Sequence, residues 1–399
     1  MACPAPVPGT RSAVGGRMRR VGIIGTGYIA RGLARVLAGR SDLGVSHMLT
    51  RGDPAARRDL PSPLVTRSLD ELLDHADVVV ECSGDAIHAT GCIDSALRAG
   101  LPVVTMDAEF HVTSGSHFVG RGELTEAEGD QPGSLAALRE HALEMGFRPL
   151  IYGNFKGFLD PTPSRAAMEH WSAKLGISLE AVTSFTDGTK VQIEQVLVAN
   201  GLGAELAEPG RLGVRAESLA EATASLAEHA ARLGRPLSEF VFLPDSPAGV
   251  FLVGDHEEQA ALRYLKQGPG PYTLVRDHHL IHLEIPRTIR RLLDGGGVLL
   301  AHSARPRYGV AAVAKRALRT GEVIARGVGG FDVRGSAVRL AEAPAHVPIG
   351  LLRDAVLLRP VDPGETLRVE HVELPDSLAV RLWRERLAAS LSATSSPAS

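Results

Sequence analysis

Apolar and amphipathic stretches alternate along the N-terminal part of the chain. Short apolar runs occupy 20–24, 44–49, 77–81 and 102–106. Apolar side chains recur at helical spacing between these runs, at 28–38, 69–75 and 86–99. Buried strands that alternate with helices are typical of βαβ units and a parallel sheet. The pattern therefore predicts an α/β fold that begins with a doubly wound Rossmann sheet.

The alternation continues through the middle of the chain and changes character near residue 306. Helices are predicted at 134–145, 191–200 and 219–233, and strands at 148–152 and 182–185. Short apolar strands between Gly and Pro turns then follow at 308–314, 323–325, 331–333 and 356–358. One more amphipathic helix is predicted at 377–389. We therefore expect an α/β domain in the middle and a small all-β domain at the C-terminus.

The length of 399 residues suits two or three domains. Residues 1–18 are rich in Pro, Gly, Ala and Ser and lack a signal-peptide core, so they are predicted to be a disordered leader. The predicted domains are 19–133, 134–305 and 306–390, the last including the C-terminal helix. A disordered tail is predicted at 391–399.

Composition and charge exclude several classes of protein. The net charge of −3 and the 44% of hydrophobic residues argue against a nucleic-acid binder and against a disordered chain. No apolar run approaches the roughly 18 residues that span a membrane, so no membrane partner is expected. Cys3, Cys82 and Cys92 form neither a disulfide framework nor a metal-ligand pattern, which favours the cytoplasm.

A glycine-rich turn directly follows the first predicted strand. Gly25 permits the tight turn into the helix, and Gly27 lets the backbone approach a pyrophosphate. Ala30 is small where the helix packs on the strand. The helix starts near Tyr28 and Ile29, and its first N–H groups point at the phosphates. Because this motif lies within a βαβ pattern, it predicts a dinucleotide-binding site.

The end of the second predicted strand bears on the choice of dinucleotide. An NAD site places Asp or Glu there, whereas this chain has Thr50 and Arg51. These residues can bind a 2′-phosphate, so the sequence favours NADP and leaves NAD possible. Cys82, Ser83 and Gly84 follow the third strand, where small residues allow the nicotinamide half to approach. We interpret Cys82 as a packed small residue rather than a nucleophile.

Lysine is scarce in this chain, which makes Lys190 a candidate for chemistry. Only five of the 43 basic residues are lysines. Arg stays charged when it is buried, whereas Lys can release its proton. Lys190 and Glu194 share a helical face at i,i+4, and burial would lower the pKa of the amine. Such a pair can move a proton while a hydride moves to or from a nicotinamide. An exposed helical ion pair is the alternative.

Four more polar residues are candidate substrate ligands. Asn154 and Lys156 follow the strand at 148–152, and Lys156 could bind a substrate carboxylate or phosphate, or the phosphates of the cofactor. Asp187 lies just before Lys190. Asn200 lies at the end of the same helix, where it could be a cap or a ligand contact.

A histidine-rich segment at 277–284 contains the last candidate, His279. On a strand, alternation would place His278, His282 and Glu284 on the face opposite to it. The spacing does not match a helical metal motif, and Pro286 follows closely. We therefore interpret the segment as a polar network beneath the site and expect no metal.

Several strings resemble the homoserine-dehydrogenase-like oxidoreductases that carry a C-terminal SAF (β-clip) domain. This family includes the alternative 1-deoxy-D-xylulose 5-phosphate reductoisomerases. The resemblance covers about residues 20–390 and lies in EGDQPG (128–133), SFTDGTKVQIEQVLVANGLG (184–203), ALRYLKQGPGPYTLVRDHHLIHLEIP (261–286), AVAKRALRTGEVIARGVGGFDVRG (312–335), PIGLLRDAVLLRPVDPGETL (348–367) and VELPDSLAVRLWRE (372–385).

The resemblance implies a Rossmann NAD(P) domain, a catalytic and dimerisation domain, and a SAF module. It places Lys190 at the lysine of the family's DGTK string, Asp130 at its DQP acid and Glu194 at the acid one turn later. Lys190 would polarise or protonate a carbonyl oxygen, with both acids setting its charge. The expected partners are a small-molecule substrate and further copies of the chain in a dimer or tetramer.

Departures from the family pattern leave the reaction open. They fall at 50–51, 153–156 and 276–279, around the expected pocket. The leading hypothesis is an NAD(P)-dependent oxidoreductase of the dehydrogenase or reductoisomerase type that acts on a sugar-like or sugar-phosphate substrate. The alternatives are a redox-neutral dehydratase, lyase or epimerase with tightly bound cofactor, a homoserine dehydrogenase, and a cofactor-sensing protein without catalysis.

Overall fold

The computed structural model describes residues 17–56, 64–211, 213–243 and 248–394. Most of the predicted leader and the last residues of the predicted tail lie outside these residues. The C-terminal helix extends to Thr394, past the predicted start of the tail at 391, and disorder of the tail stays a prediction. In the described part of the chain, no helix is long and apolar enough to cross a membrane.

The first sheet has six parallel strands in the order β3-β2-β1-β4-β5-β6. The strands are β1 (Arg19–Ile24), β2 (Leu43–Leu49), β3 (Val65–Thr66), β4 (Val78–Glu81), β5 (Val103–Thr105) and β6 (Leu124–Glu126). The helices that follow them are α1 (Tyr28–Ala38), α2 (Leu69–Asp74), α3 (Ala86–Arg98), α4 (Ala108–Phe110) and α5 (Ser116–Phe118). A π-helical turn at His111–Gly115 joins α4 to α5. The predicted Rossmann-like sheet is therefore confirmed.

Apolar side chains cover both faces of this sheet. On one face, Ala30 and Leu33 of α1 pack with Val21 and Ile23 of β1, and the other face packs against α2 and α3. Helix α12 (Ile285–Leu293) joins α1 on the first face through Ile285. Helix α12 was predicted to lie in the middle domain, but it packs on the N-terminal sheet. Its apolar face is stabilised there because it is buried against apolar side chains of that sheet.

The second sheet has five strands in the order β11-β10-β7-β9-β8. The strands are β7 (Arg148–Lys156), β8 (Val214–Arg215), β9 (Leu237–Phe242), β10 (Val250–Asp255) and β11 (Tyr272–Arg276). β7 runs parallel to β9 and antiparallel to β10. The neighbouring helices are α6 (Gln131–Glu144), α7 (Arg165–Leu175), α8 (Leu179–Thr186), α9 (Thr189–Leu202), α10 (Leu219–Leu233) and α11 (Gln259–Tyr264).

The strand predicted at 182–185 is wrong, because this segment lies in helix α8. Ser178 caps that helix, with its hydroxyl accepting a hydrogen bond from the Ala181 N–H group. Val182 and Thr183 are buried on the helix. A cap and burial thus outweigh the strand preference of this short apolar run.

Helix α9 lies in the interior, and the C-terminal strands cover it. All of its residues from Thr189 to Asn200 are buried. Thr189 and Gln192 accept hydrogen bonds from the Gly335 and Ala337 N–H groups at 2.8 and 2.9 Å. Because the helix is buried on every side, neighbouring segments rather than water satisfy its polar side chains.

The C-terminal strands form two small sheets. β12 (Tyr308–Ala314) pairs with β14 (Val333–Arg339), and β15 (Arg353–Leu357) pairs with both β13 (Val323–Arg326) and β16 (Val372–Glu373). Helix α13 (Leu378–Thr394) follows. Their apolar residues share one core with α9, so these strands do not enclose a core of their own. The identity of this region as a separate β-clip domain stays a prediction.

A buried ion pair fastens the C-terminal strands to the start of α9, and we expect it to stabilise the fold. Lys315 Nζ lies 2.5 Å from Asp187 Oδ2, and both side chains are almost fully buried. Lys315→Met leaves the carboxylate without its partner and should lower the free energy of unfolding by about 3–5 kcal/mol in urea titrations. Arg316→Met removes an adjacent, half-exposed cation and should cost about 1 kcal/mol or less. Equal losses in the two variants would contradict a structural role for this pair.

Candidate active site

The glycine turn after β1 has the geometry of a phosphate cradle. Gly25 has a φ of +116°, in the region that glycine favours. A Cβ atom placed on Gly27 would meet no atom within 4 Å, so open space lies in front of α1. No side chain caps the start of this helix, while Ala30 is fully buried against the sheet. The helix begins at Tyr28, and its first N–H groups face this open space; their binding to a diphosphate stays a prediction.

A pocket of about 300 Å³ lies at the end of β2. Its lining includes two predicted cofactor residues, Thr50 and Arg51, and one that sequence reasoning missed, Arg67. Arg51 donates a hydrogen bond of 2.7 Å to Asp85, the N-cap of α3. The remaining N–H groups of Arg51 can bind a second anion, because a guanidinium carries five donors. The pocket therefore offers an anion two guanidinium groups, and its use for the adenosine end of a dinucleotide stays a prediction.

The segment after β4 has an unused donor for the other end of a dinucleotide. The Ser83 hydroxyl is buried and has no hydrogen-bond partner among the described residues. The Ser83 N–H group donates to Glu81 at 2.7 Å, which fixes the loop. A Cβ atom on Gly84 would also meet open space. Burial and the neighbouring Glu81 raise the pKa of the Cys82 thiol well above its usual value, which agrees with a packed, unreactive cysteine.

Lys190 lies at the carboxyl edge of the first sheet with its amine among acids. Its Nζ donates to Asp130 at 3.1 Å and to Glu109 at 3.4 Å, and its side chain is 10% exposed. Burial alone would lower the pKa of Lys190, but the charges of Asp130 and Glu109 outweigh it and raise the pKa well above its ordinary value. The expected burial is confirmed, and the expected lowering of the pKa is wrong.

Asp130 is held from both sides as the N-cap of α6. Its Oδ1 atom accepts a hydrogen bond of 3.1 Å from the Gln131 N–H group, and its Oδ2 atom accepts one from Lys190. Burial favours the neutral acid, but the Lys190 ammonium outweighs burial and lowers the pKa of Asp130. The Nδ1 atom of His279 lies 3.2 Å from the carbonyl oxygen of Gly129, the residue before Asp130. The predicted residues Lys190, Asp130 and His279 therefore come together.

Glu194 pairs with Lys156 rather than with Lys190, which corrects the i,i+4 prediction. Lys156 Nζ lies 3.1 Å from Glu194 Oε2 and donates to Gln131 at 2.6 Å. The Asn154 amide donates to the same Glu194 oxygen at 3.0 Å. Burial raises the pKa of Glu194 in spite of Lys156. Two of the three ammonium N–H groups are used in these contacts, so Lys156 is a positioning group for Glu194 in this arrangement.

Asp187 and Asn200 have structural partners in place of the predicted substrate. Asp187 is fully buried against Lys315 and accepts the Thr189 N–H group at 2.9 Å. The Asn200 side-chain N–H group donates a hydrogen bond of 2.9 Å to the Tyr308 carbonyl oxygen. Its Oδ1 atom accepts a hydrogen bond of 2.9 Å from the Arg307 N–H group. Helix α9 continues past Asn200 to a left-handed Gly203, so the helix end predicted at 200 is also wrong.

Sequence reasoning missed a row of buried acids at the carboxyl ends of β4, β5 and β6. These are Glu81, Asp107 and Glu126, and each is at most 1% exposed. Burial raises the pKa of each of these carboxyls. Glu126 lies 3.3 Å from His111, whose pKa burial lowers to about 3. The signal that could have found them is the one used for Cys82, because the carboxyl ends of parallel strands meet at one edge.

The histidine-rich segment at 277–284 is a loop with a short 3₁₀ turn, so the two faces that a strand would give it do not exist. His282 packs against Tyr28, with ring centroids 5.9 Å apart, and Glu284 pairs with Arg276. Arg276 also donates to Glu128 at 3.1 Å and so ties the loop to the segment before Asp130. Among the described residues, no group of three or more His, Cys, Asp or Glu side chains is arranged to hold a metal ion.

Two protein families match successive parts of the chain. Residues 25–116 match the NAD-binding domain of homoserine dehydrogenase, and residues 129–285 match the catalytic domain of the oxidoreductase DRL. The first match contains the glycine turn, and the second contains Asp130 and Lys190. Together these matches identify the chain as an NAD(P)-dependent oxidoreductase. No curated protein matches it.

Solved structures match at low sequence identity. A probable dehydrogenase from Thermotoga maritima is 13% identical, with 70% of this chain and 90% of that chain covered and a TM-score of 0.43. UDP-N-acetylglucosamine 3-dehydrogenase from Acidithiobacillus ferrooxidans is 12% identical, with 71% and 92% covered and a TM-score of 0.42. A myo-inositol dehydrogenase from Corynebacterium glutamicum is 12% identical, with 70% and 90% covered and a TM-score of 0.42. These values leave the substrate of the present chain open.

The open space at Gly27 makes it the most direct test of the cofactor cradle. Gly27→Val should abolish binding of NADPH, because the side chain fills the space where the diphosphate would approach. Titration of NADPH fluorescence measures the loss. Gly91→Val on α3 is the matched control, since a Cβ atom there also meets open space away from the turn. Unchanged NADPH binding in Gly27→Val would rule out this cradle.

Proposed function

We propose that the protein reduces the carbonyl group of a small sugar-like or sugar-phosphate substrate with NADPH. The observation that carries the proposal is the buried Lys190 ammonium between Asp130 and Glu109, at the carboxyl edge of a dinucleotide-binding sheet. The bound nicotinamide supplies the hydride in this reaction. Lys190 binds the carbonyl oxygen and supplies the proton that this oxygen takes up.

Lys190 carries a positive charge in this site. Its raised pKa keeps the amine protonated at neutral pH, so it can donate a hydrogen bond to a substrate oxygen and stabilise negative charge that develops there. Asp130 stabilises the ammonium and holds it in place at 3.1 Å. The same site serves both directions of the reaction, and the carbonyl compound and NADPH are the reactants in the proposed direction.

The pocket at the end of β2 supports NADP as the cofactor. Arg51 and Arg67 line it, and none of its described lining residues carries a carboxylate. A 2′-phosphate would gain charge-assisted hydrogen bonds from these guanidinium groups. An NAD site would instead offer an acid to the ribose hydroxyls.

Reductoisomerase chemistry is one form of this proposal, supported by the strings that resemble the family of the alternative 1-deoxy-D-xylulose 5-phosphate reductoisomerases. A redox-neutral lyase or epimerase would use the same site differently, with Lys190 as a base and the cofactor permanently bound. Mass spectrometry of small molecules released from the denatured protein separates these cases, because only the redox-neutral enzyme should retain its dinucleotide through purification. Assembly into a dimer or tetramer and the role of the C-terminal strands as a SAF module also remain proposals.

Substitution of Lys190 tests the proton donor. In an assay of NADPH oxidation with 1-deoxy-D-xylulose 5-phosphate, Lys190→Met should lower kcat by about 10²- to 10⁴-fold, the usual contribution of a positioned acid. Its affinity for NADPH should stay unchanged. The wild-type rate should not fall between pH 6 and 9 through loss of the Lys190 proton, because its pKa is raised. Lys174→Met, on the exposed face of α7, is the control. Full activity in Lys190→Met would remove this residue from the reaction.

Substitution of Arg51 tests the choice of cofactor. Arg51→Ala should weaken NADPH about ten- to hundredfold and NADH much less, because only NADPH carries the 2′-phosphate. Dissociation constants for both dinucleotides come from fluorescence titrations. Arg98→Ala, at the far end of α3, controls for the loss of a surface charge. A matched loss for both dinucleotides would overturn the assignment to NADP.

A further inference from the structure

Two arginines of the C-terminal strands lie side by side on the wall of a cleft. Arg326 on β13 and Arg353 on β15 are directly opposite each other in the antiparallel ladder. Residues in that relation have Cβ atoms about 5 Å apart on the same face, and like charges there repel. Both side chains line a cleft between the C-terminal strands and the start of α3.

The two guanidinium groups have too few acids to neutralise them. Arg353 lies 3.1 Å from Asp85, but that carboxylate also accepts from Arg51. No side chain among the described residues makes a hydrogen bond or an ion pair with Arg326. The cleft also contains Glu109, but this acid contacts the Lys190 ammonium. An added dianion would therefore relieve the repulsion between Arg326 and Arg353.

We propose that Arg326 and Arg353 form a binding subsite for the phosphate monoester of the substrate. This inference rests on the proposed function, and it names the group that binds away from the reacting carbonyl. Glu109 joins the two places, because it lines the cleft and contacts the amine of Lys190. Lys156, which the sequence offered for this task, already holds Glu194 and Gln131.

The subsite differs in position from the pocket proposed for the adenosine end of the cofactor. That pocket lies on the other side of Asp85 and is lined by Thr50, Arg51 and Arg67. The alternative ligand of Arg326 and Arg353 is a phosphate group of the cofactor. Binding of inorganic phosphate in the presence of saturating NADPH separates the two sources.

The test measures binding of inorganic phosphate by calorimetry, with and without saturating NADPH. Wild-type protein should bind phosphate in both conditions. Arg326→Gln and Arg353→Gln should each weaken phosphate about ten- to hundredfold, the value of lost charge-assisted hydrogen bonds. Both variants should keep the wild-type affinity for NADPH. Arg359→Gln, at an exposed arginine just after β15 and outside the cleft, should leave phosphate binding unchanged.

Three results would overturn the subsite. They are a wild-type protein that does not bind phosphate, equal phosphate affinity in Arg326→Gln and Arg359→Gln, and displacement of phosphate by NADPH together with loss of NADPH affinity in Arg326→Gln. The last result would assign the arginines to the cofactor. If phosphate binding depends on Arg326 but wild-type protein does not bind NADPH, the subsite stands and the proposed function fails.

Discussion

The structure depends on keeping one ammonium group charged in a buried place. Lys190 reaches its position from α9, Asp130 from the cap of α6, and Glu109 from the short helix after β5. Three segments far apart in the chain must meet within about 3 Å for this charge to be tolerated, because an unpaired buried ion is costly. The two sheets, which carry these segments, are therefore fixed relative to each other by the same contacts that prepare the proton donor.

Helix α9 explains why the C-terminal strands share a core with the rest of the protein. The helix is buried along its length, so its polar side chains need partners from neighbouring segments. Thr189, Gln192 and Asn200 find them in the backbone of β14 and of residues 307–308. The strands that were predicted as an appended domain thus hold the helix that carries Lys190, and they also bring Arg326 and Arg353 to the cleft beside α3.

Local sequence signals predicted the features that depend on neighbours in the chain. The turn at Gly25 and the βαβ alternation depend on short-range sterics and periodicity, and both were found. The scarcity of lysine among the basic residues pointed to Lys190 as a candidate. The pairing of Glu194 with Lys156 could not be predicted, because it depends on how β7 lies against α9. The same holds for Arg326 beside Arg353, since the register of an antiparallel pair across a long loop is a tertiary property.

Asp85 connects the two ends of the proposed ligand arrangement. Its buried carboxylate neutralises Arg51 at the cofactor pocket and Arg353 at the cleft, so each guanidinium receives only part of one negative charge. Both guanidinium groups keep donors free for an anion, because one carboxylate cannot satisfy the five N–H groups that each of them carries. The N-cap of α3 is therefore the point where the cofactor pocket and the cleft of the C-terminal strands meet.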